Sequence, residues 1–340
     1  MPARFLSVAA PGRRHLAVAL VAVVGLVALG APGRLASGAP GLPAAAAPAE
    51  TLSLATGNPS GIFYPLGGGI ASIWTRHVPG VRIRAEVTAA SVTNLIQVAR
   101  GESAAALTMG DALAAAVAGS GRFPYPLPVV ALARLYPNLL HVVSVEGAGI
   151  RRFTDLRGRR VSLGAAGSGT ALAARNVLEA LGMDESELDG RRLNFAETGA
   201  ALRDGSIDAG FIAAGIGNAA VTELGLSRGL VLVDFDESEL ARISEHQAAY
   251  APFTLPAGVY PGVDAPTRLP SIWCLLAVHR DMEPALAERL VAALFDHRDE
   301  LLRVSKVVRF LTPESAAETG SLPLHAGARR YFERRAGGTR

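Results

Sequence analysis

The chain has 340 residues, half of them apolar and 19% charged, which provides for a sizeable buried core and excludes global disorder. Its formal charge of +3 arises in residues 1–49, which hold Arg4, Arg13, Arg14 and Arg34 and no acid; of 33 basic and 30 acidic residues overall, they leave 29 against 30. That balance offers no electrostatic footprint for nucleic acid, and a single cysteine, Cys274, excludes an intramolecular disulfide and a thiolate metal site.

The amino terminus comes first. Arginines precede an uncharged apolar run from Leu16 to Ala31, followed by small residues and prolines. This is the layout of a secretory signal peptide of the Sec type, so residues 1–49 are expected to be a signal peptide and short linker. The run is about 16 residues, short of the roughly 20 that span a membrane. An uncleaved anchor is the alternative.

From Thr51 short β-like runs alternate with helical segments. Leu52–Thr56 predicts a strand, a Gly-rich turn follows, and a helix is expected from about Pro65 to His77. Strands over Val81–Thr88 and Ala104–Thr108 flank a helix over Ser91–Arg100, and a further helix ends near Gly119. The pattern then restarts: a strand over Arg160–Leu163, the glycine-rich turn Gly164–Gly169, and a helix over Thr170–Leu181 stopped by Gly182. Arg192–Phe195, Ala209–Ala213 and Leu230–Val233 predict further strands. Leu139–Val145 and Ile272–His279 are the expected crossings between two α/β sheets, with Cys274 buried in the second, and a single helix from about Glu283 to Val304 returns to the first.

Catalytic templates fail on their own terms. The seven histidines are scattered, with no i,i+4 pair for a helical metal site. The segment Gly164 to Thr170 lacks the lysine of a phosphate-binding loop, the flanking glycines of a nucleophile elbow around Ser168, and the third glycine of a dinucleotide fingerprint. It does provide a helix amino terminus with backbone N–H groups and the hydroxyls of Ser168 and Thr170, suited to a carboxylate or phosphate oxygen. Thr56-Gly57 through Gly61 to Tyr64-Pro65, and Ser91 with Asn94, make comparable turns in the first half. Each alone is compatible with an ordinary cap. Divided between two lobes, the three read together as a ligand cleft. Arg134 is expected at the surface or between lobes rather than on a ligand.

An ordered set of short stretches carries a resemblance. It runs through Gly61-Ile62-Phe63-Tyr64-Pro65, Ser91-Val92-Thr93-Asn94, Arg134-Leu135-Tyr136-Pro137, Gly167-Ser168-Gly169-Thr170, Asp208 to Ile216, Pro256 to Gly262, and Pro323 to Ala328. In order and spacing the chain resembles the TAXI-type solute-binding proteins of tripartite ATP-independent periplasmic (TRAP) transporters. The resemblance implies an α/β, type II periplasmic-binding-protein fold: two lobes joined by hinge strands with a ligand cleft between them. Lobe 1 is expected over residues 50–145 plus 270–340 and lobe 2 over 146–269. It implies a periplasmic receptor that performs no catalysis, needs no cofactor, acts as a monomer, and passes a small solute to TRAP membrane subunits. The expected solute is a glutamate-like amino acid or dicarboxylate. By matching position, Gly57, Gly61, Tyr64, Ser91, Asn94, Tyr136, Ser168, Gly169, Thr170, Gly215 and Ile216 would bind it. Two departures fall close to this site: Ala89-Ala90 stands where glycines are expected, and Gly217 where proline is. A membrane-anchored ligand sensor and an enzyme on a binding-protein fold are the competing readings.

Overall fold

The computed structural model describes residues 51–337, so the expected signal peptide lies outside the described residues. In the first lobe, β1 (Thr51–Ala55), β2 (Arg82–Glu86) and β3 (Ala105–Met109) pair in parallel, each followed by a helix: α1 (Phe63–His77), α2 (Ser91–Ala99) and α3 (Gly110–Ala118). The chain then enters β4 (Val129–Val145), a 17-residue strand that leads into the second lobe. There β5 (Arg160–Ser162), α4 (Gly169–Ala180), β6 (Asp189–Arg191), α5 (Phe195–Asp204), β7 (Ala209–Gly215), α6 (Ala219–Ser227), β8 (Leu230–Leu232), α7 (Glu237–His246) and β9 (Tyr250–Leu255) follow. The return strand is β10 (Thr267–His279), after which α8 (Pro284–Asp296), α9 (Arg298–Val304), α10 (Pro313–Ala317) and α11 (Ala326–Gly337) close on the first lobe.

One sheet links both lobes in the order β2-β1-β3-β10-β4-β7-β5-β6, with β8 on β4 and β9 on β10. The two long strands make the crossing. Residues 129–139 of β4 pair antiparallel with β10, and residues 138–144 pair with β7. Residues 274–278 of β10 pair with β3, and 267–272 with β9. Both strands are nearly continuous apolar runs because helices cover them on both faces. Cys274 is fully buried in β10.

Each lobe has its own core. One face of the first sheet packs against α1, α8 and α11 through Trp74, Leu290, Phe295 and Tyr331, and Trp74 Nε1 donates to the Leu290 carbonyl at 2.9 Å. The opposite face packs against α2 and α3 through Leu95, Val98 and Leu113. The second core gathers Phe153, Phe211 and Phe235.

Two expected elements differ. The strand expected over Arg192–Phe195 lies earlier, at Asp189–Arg191, and Phe195 opens α5 instead. Asn194 Oδ1 accepts from the Glu197 N–H while Glu197 Oε2 accepts from the Asn194 N–H, a reciprocal cap that starts the helix there. The helix expected from Glu283 to Val304 breaks at His297, whose side chain turns onto Glu300 at 2.9 Å.

Candidate functional site

The strand-to-helix turns of both lobes converge on one cavity of about 190 Å³. It lies beyond the carboxyl ends of β1, β3, β5 and β7 and at the amino termini of α1, α2, α4 and α5, where open α/β sheets hold ligands. The lobes touch around it. The Thr93 N–H of α2 donates to the Gly167 carbonyl at 3.3 Å, and a methyl group built on Gly169 would sit 2.5 Å from Ser91 Oγ. Phe195 packs against Gly61 from the other lobe, at 3.4 Å from the position of a Cβ there. The first approach has no room for a side chain at position 169, while at position 61 a Cβ would be in ordinary contact with Phe195.

Of the expected binding residues, Gly57, Gly61, Ser91, Tyr136, Ser168, Gly169 and Thr170 line this cavity, and Tyr64, Asn94, Gly215 and Ile216 do not. The reasons differ. Since α1 starts at Phe63, Phe63 faces the cavity and Tyr64, one residue on, is 36% exposed. Asn94 is fully buried behind the wall: its Nδ2 donates to the carbonyls of Thr56 and Leu107, both at 2.7 Å, and its Oδ1 accepts from Thr88 Oγ1. Thr88 Oγ1 in turn accepts from the Ala90 N–H at 2.9 Å. Asn94 therefore fixes the end of β1, the middle of β3 and the loop before α2 relative to one another. Gly215 backs the wall, where a Cβ would meet Ile62 and Tyr136 within 3 Å. Arg134 is engaged elsewhere: its Nε donates to the Ser315 carbonyl at 2.8 Å, its Nη2 meets Glu318 at 2.6 Å, and its guanidinium lies over Trp273.

The loop before α2 is strained. Ala90 has φ 78° and ψ −153°, a region that glycine occupies and an L side chain resists. The sequence had marked this position, because the resemblance expects glycine there.

Asn138 was not singled out by the sequence reading and is the most informative residue of the wall. It sits in β4, is 1% exposed, and neither its Nδ2 nor its Oδ1 has a hydrogen-bond partner. A buried amide normally finds one, and this one adjoins the cavity. The signal was present: a lone amide two residues beyond Tyr136 in a mostly apolar strand. Tyr136 Oη is likewise buried without a partner, and burial, with the Cys274 thiol beside it, pushes its ionisation well above the usual tyrosine value.

Two buried polar networks brace the rim. Asp111 of α3 accepts from Tyr250 Oη of β9 at 2.7 Å and from Asn176 Nδ2 of α4 at 3.3 Å, joining elements of both lobes. Burial raises its carboxyl to about 6, against which these hydrogen bonds work. His141 of β4 faces the Ile212 carbonyl with Nδ1, which makes Nδ1 the protonated nitrogen and Nε2 the acceptor for Tyr260 Oη at 3.0 Å. Burial lowers His141 to about 4, keeping it neutral. The Tyr260 oxygen then accepts from the Gly217 N–H at 3.1 Å and holds the turn after β7.

Away from the cleft, His77, His297 and Glu300 form the one trio of metal-capable side chains among the described residues. Both Glu300 oxygens are already engaged, by Arg76 at 2.6 Å and by His297 at 2.9 Å, and the two imidazoles stack at 3.5 Å.

Comparison with known proteins places this architecture. The model of the NMT1-like family matches residues 54–335, and the chain belongs to that family. Among solved structures, MatC from Rhodopseudomonas palustris with bound malate is 15% identical with a TM-score of 0.55, over 85% of this chain and 98% of that one. A protein of Bordetella bronchiseptica is 18% identical with a TM-score of 0.51, over 83% and 88%. PhnD1 from Prochlorococcus marinus in complex with methylphosphonate is 11% identical with a TM-score of 0.50, over 84% and 98%. The fold is the two-lobed one of periplasmic binding proteins. No helix among the described residues is long and apolar enough to cross a membrane.

Proposed function

We propose that this member of the NMT1-like family is an extracytoplasmic solute-binding receptor of the TAXI type, which captures a small anionic metabolite and delivers it to the membrane subunits of a TRAP transporter. The observation that carries the reading is the cavity between the lobes, with four helix amino termini around it and the unpartnered amide of Asn138 in its wall. Lobe 1 comprises residues 50–145 plus 270–340, lobe 2 residues 146–269, and β4 with β10 forms the hinge. The ligand takes hydrogen bonds from Ser91, Ser168 and Thr170 and from backbone N–H groups near Gly57, Gly61 and Gly169, while Tyr136 closes the floor. Contacts to both lobes supply the differential affinity that favours closure, so the transporter meets a loaded protein of distinct shape. The work done is binding and release, without turnover.

A thermal-shift screen of the purified protein against amino acids, dicarboxylates, monocarboxylates, sugars and phosphates tests this reading. The resemblance puts glutamate-like compounds and dicarboxylates first in that screen. A ligand at a hundredfold its dissociation constant adds about 2.7 kcal/mol, a shift of several degrees. A shift by any solute that Ser168→Ala and Thr170→Ala both reduce supports the receptor. No shift by any class rejects it. Export is tested separately by sequencing the mature amino terminus, which is expected between residues 38 and 50.

A further inference from the structure

The chemistry of the cavity wall names the cargo more narrowly, on the premise that the protein is the receptor described above. Among the described residues, no Asp, Glu, Arg, Lys or His lines the cavity. An ammonium or a second carboxylate buried there meets no opposite charge, and an unpaired buried charge is strongly unfavourable. One carboxylate is different, because dipoles can hold it.

The hydroxyls supply those dipoles in a fixed sense. Ser91 Oγ accepts from the Met109 N–H at 3.2 Å, Ser168 Oγ from the Ala171 N–H at 3.1 Å, and Thr170 Oγ1 from the Ala213 N–H at 3.3 Å. A hydroxyl oxygen that accepts a backbone N–H still has its own proton to give, so all three can meet an anionic ligand as donors. The first turns of α2 and α4 present N–H groups at the same place. This end of the cavity therefore suits an anion.

Asn138 asks for something else. Its buried carboxamide leaves both Nδ2 and Oδ1 without a partner, and a single ligand hydroxyl can accept from the one and donate to the other. Ile62, Phe63, Met109 and Phe195 supply apolar side chains to the wall, and Asn58, Thr88 and Asn194 are its remaining polar ones. The volume of about 190 Å³ holds about eight non-hydrogen atoms, by scaling from a cavity of roughly 150 Å³ that holds benzene.

We propose that the cleft takes a hydroxy-monocarboxylate with an apolar body. Its carboxylate lies on the donors of Ser91, Ser168, Thr170 and the α2 and α4 termini, its hydroxyl on Asn138, and its hydrocarbon against Phe63 and Phe195. Amino acids are disfavoured by the ammonium and dicarboxylates by the second carboxylate, so the cargo departs from the class the resemblance implies.

Isothermal titration calorimetry of the full chain with three matched probes tests this. These are 2-hydroxy-4-methylpentanoate; leucine, which exchanges the hydroxyl for an ammonium; and 2-hydroxyglutarate, which exchanges the hydrocarbon end for a carboxylate. The hydroxy-monocarboxylate is expected to bind at least about tenfold tighter than either of the others. Asn138→Ala should weaken it about tenfold while leaving 4-methylpentanoate, which lacks the hydroxyl, unchanged. Because Asn138 has no partner in the protein, this variant is expected to keep the parent melting temperature. If leucine or 2-hydroxyglutarate binds as tightly as the hydroxy acid, the proposal falls and the receptor stands. An equal loss for 4-methylpentanoate removes the hydroxyl from Asn138. If none of the three binds while another solute does, the proposal alone is overturned; if no solute binds, both readings are.

Discussion

The two walls of the cleft present hydrogen bonds in different ways. On the first-lobe wall no side chain caps α1 or α2, whose N-cap positions are Ile62 and Ala90. On the second-lobe wall Ser168 caps α4 and Asn194 caps α5. A helix start without a side-chain cap leaves its first N–H groups to other main chain, water or a ligand, whereas at a capped one a side-chain oxygen already holds one of them. At its helix starts the first wall thus offers main chain, to which it adds the side chains of Ser91 and Asn138, and the second offers side-chain caps. The difference teaches that mutation can probe the helix starts of the second wall directly, but reaches those of the first only through backbone shape and close packing.

The largest effect is expected where the walls meet. Gly169→Val places a branched side chain where a methyl already falls 2.5 Å from Ser91 Oγ and 3.1 Å from the Met109 sulfur. Closure should then become the minor state and ligand affinity fall about a hundredfold. Titration calorimetry reads the loss, and small-angle scattering should show no compaction on adding ligand. On the second wall, Ser168→Ala and Thr170→Ala each remove a donor to an anion, worth about 1.5–3 kcal/mol, so each should cost tenfold to a hundredfold in affinity. Similar affinities for parent and both variants would show that the second wall contributes nothing.

The two buried networks carry opposite pH signatures. Asp111 has its folded value raised to about 6 from 3.8, so its contribution to stability is full below about 4 and is lost as pH rises through 6. Asp111→Asn has nothing to lose, and relative to the parent it should be more stable at pH 7 than at pH 4 by about 3 kcal/mol. His141 has its folded value lowered to about 4 from 6.5, so its contribution is full above 6.5 and is lost as pH falls toward 4. His141→Gln should show the reverse trend relative to the parent, by about 3 kcal/mol over that range. Thermal melts of both variants between pH 4 and 7 check the two signs together; parallel curves would remove the assignment.

The smallest effect belongs to the first wall. Ala90→Gly relieves a conformation that costs an L residue about 1–3 kcal/mol, offset by the 0.5–1 kcal/mol that glycine loses in chain entropy. A net gain of about 1 kcal/mol, or a few degrees in melting temperature, is expected. A loss of stability would mean that the Ala90 methyl packs to advantage despite its strain.

Much of this architecture was legible in advance. Strand-helix alternation marked the α/β sheets, Gly182 stopped its helix where expected, and the apolar runs ending at Val145 and His279 proved to be the long strands β4 and β10. Asn194 shows where reading failed. Its cap with Glu197 was written in the sequence, but Leu193 and Phe195 looked like a strand because local apolar spacing cannot distinguish a short strand from a capped helix start. Tyr64 shows another limit: neighbouring helix residues point about 100° apart, and with α1 beginning at Phe63, two residues before the expected start, it is Phe63 that meets the cavity.

The sequence by itself determined the alternating elements, the near-neutral charge beyond residue 49 and the glycine-rich turns, because these follow from periodicity, composition and backbone preference within a few residues. Only the tertiary structure decided that Asn138 stands unpartnered in the cleft wall, that Asn94 works behind that wall, and that no charged side chain lines the cavity among the described residues. Whether a buried polar atom is satisfied depends on groups far away in the chain: Asn94 finds its partners beyond the end of β1, in the middle of β3 and in the loop before α2, and Asn138 finds none. Local sequence carries no record of which distant strand arrives at hydrogen-bonding distance.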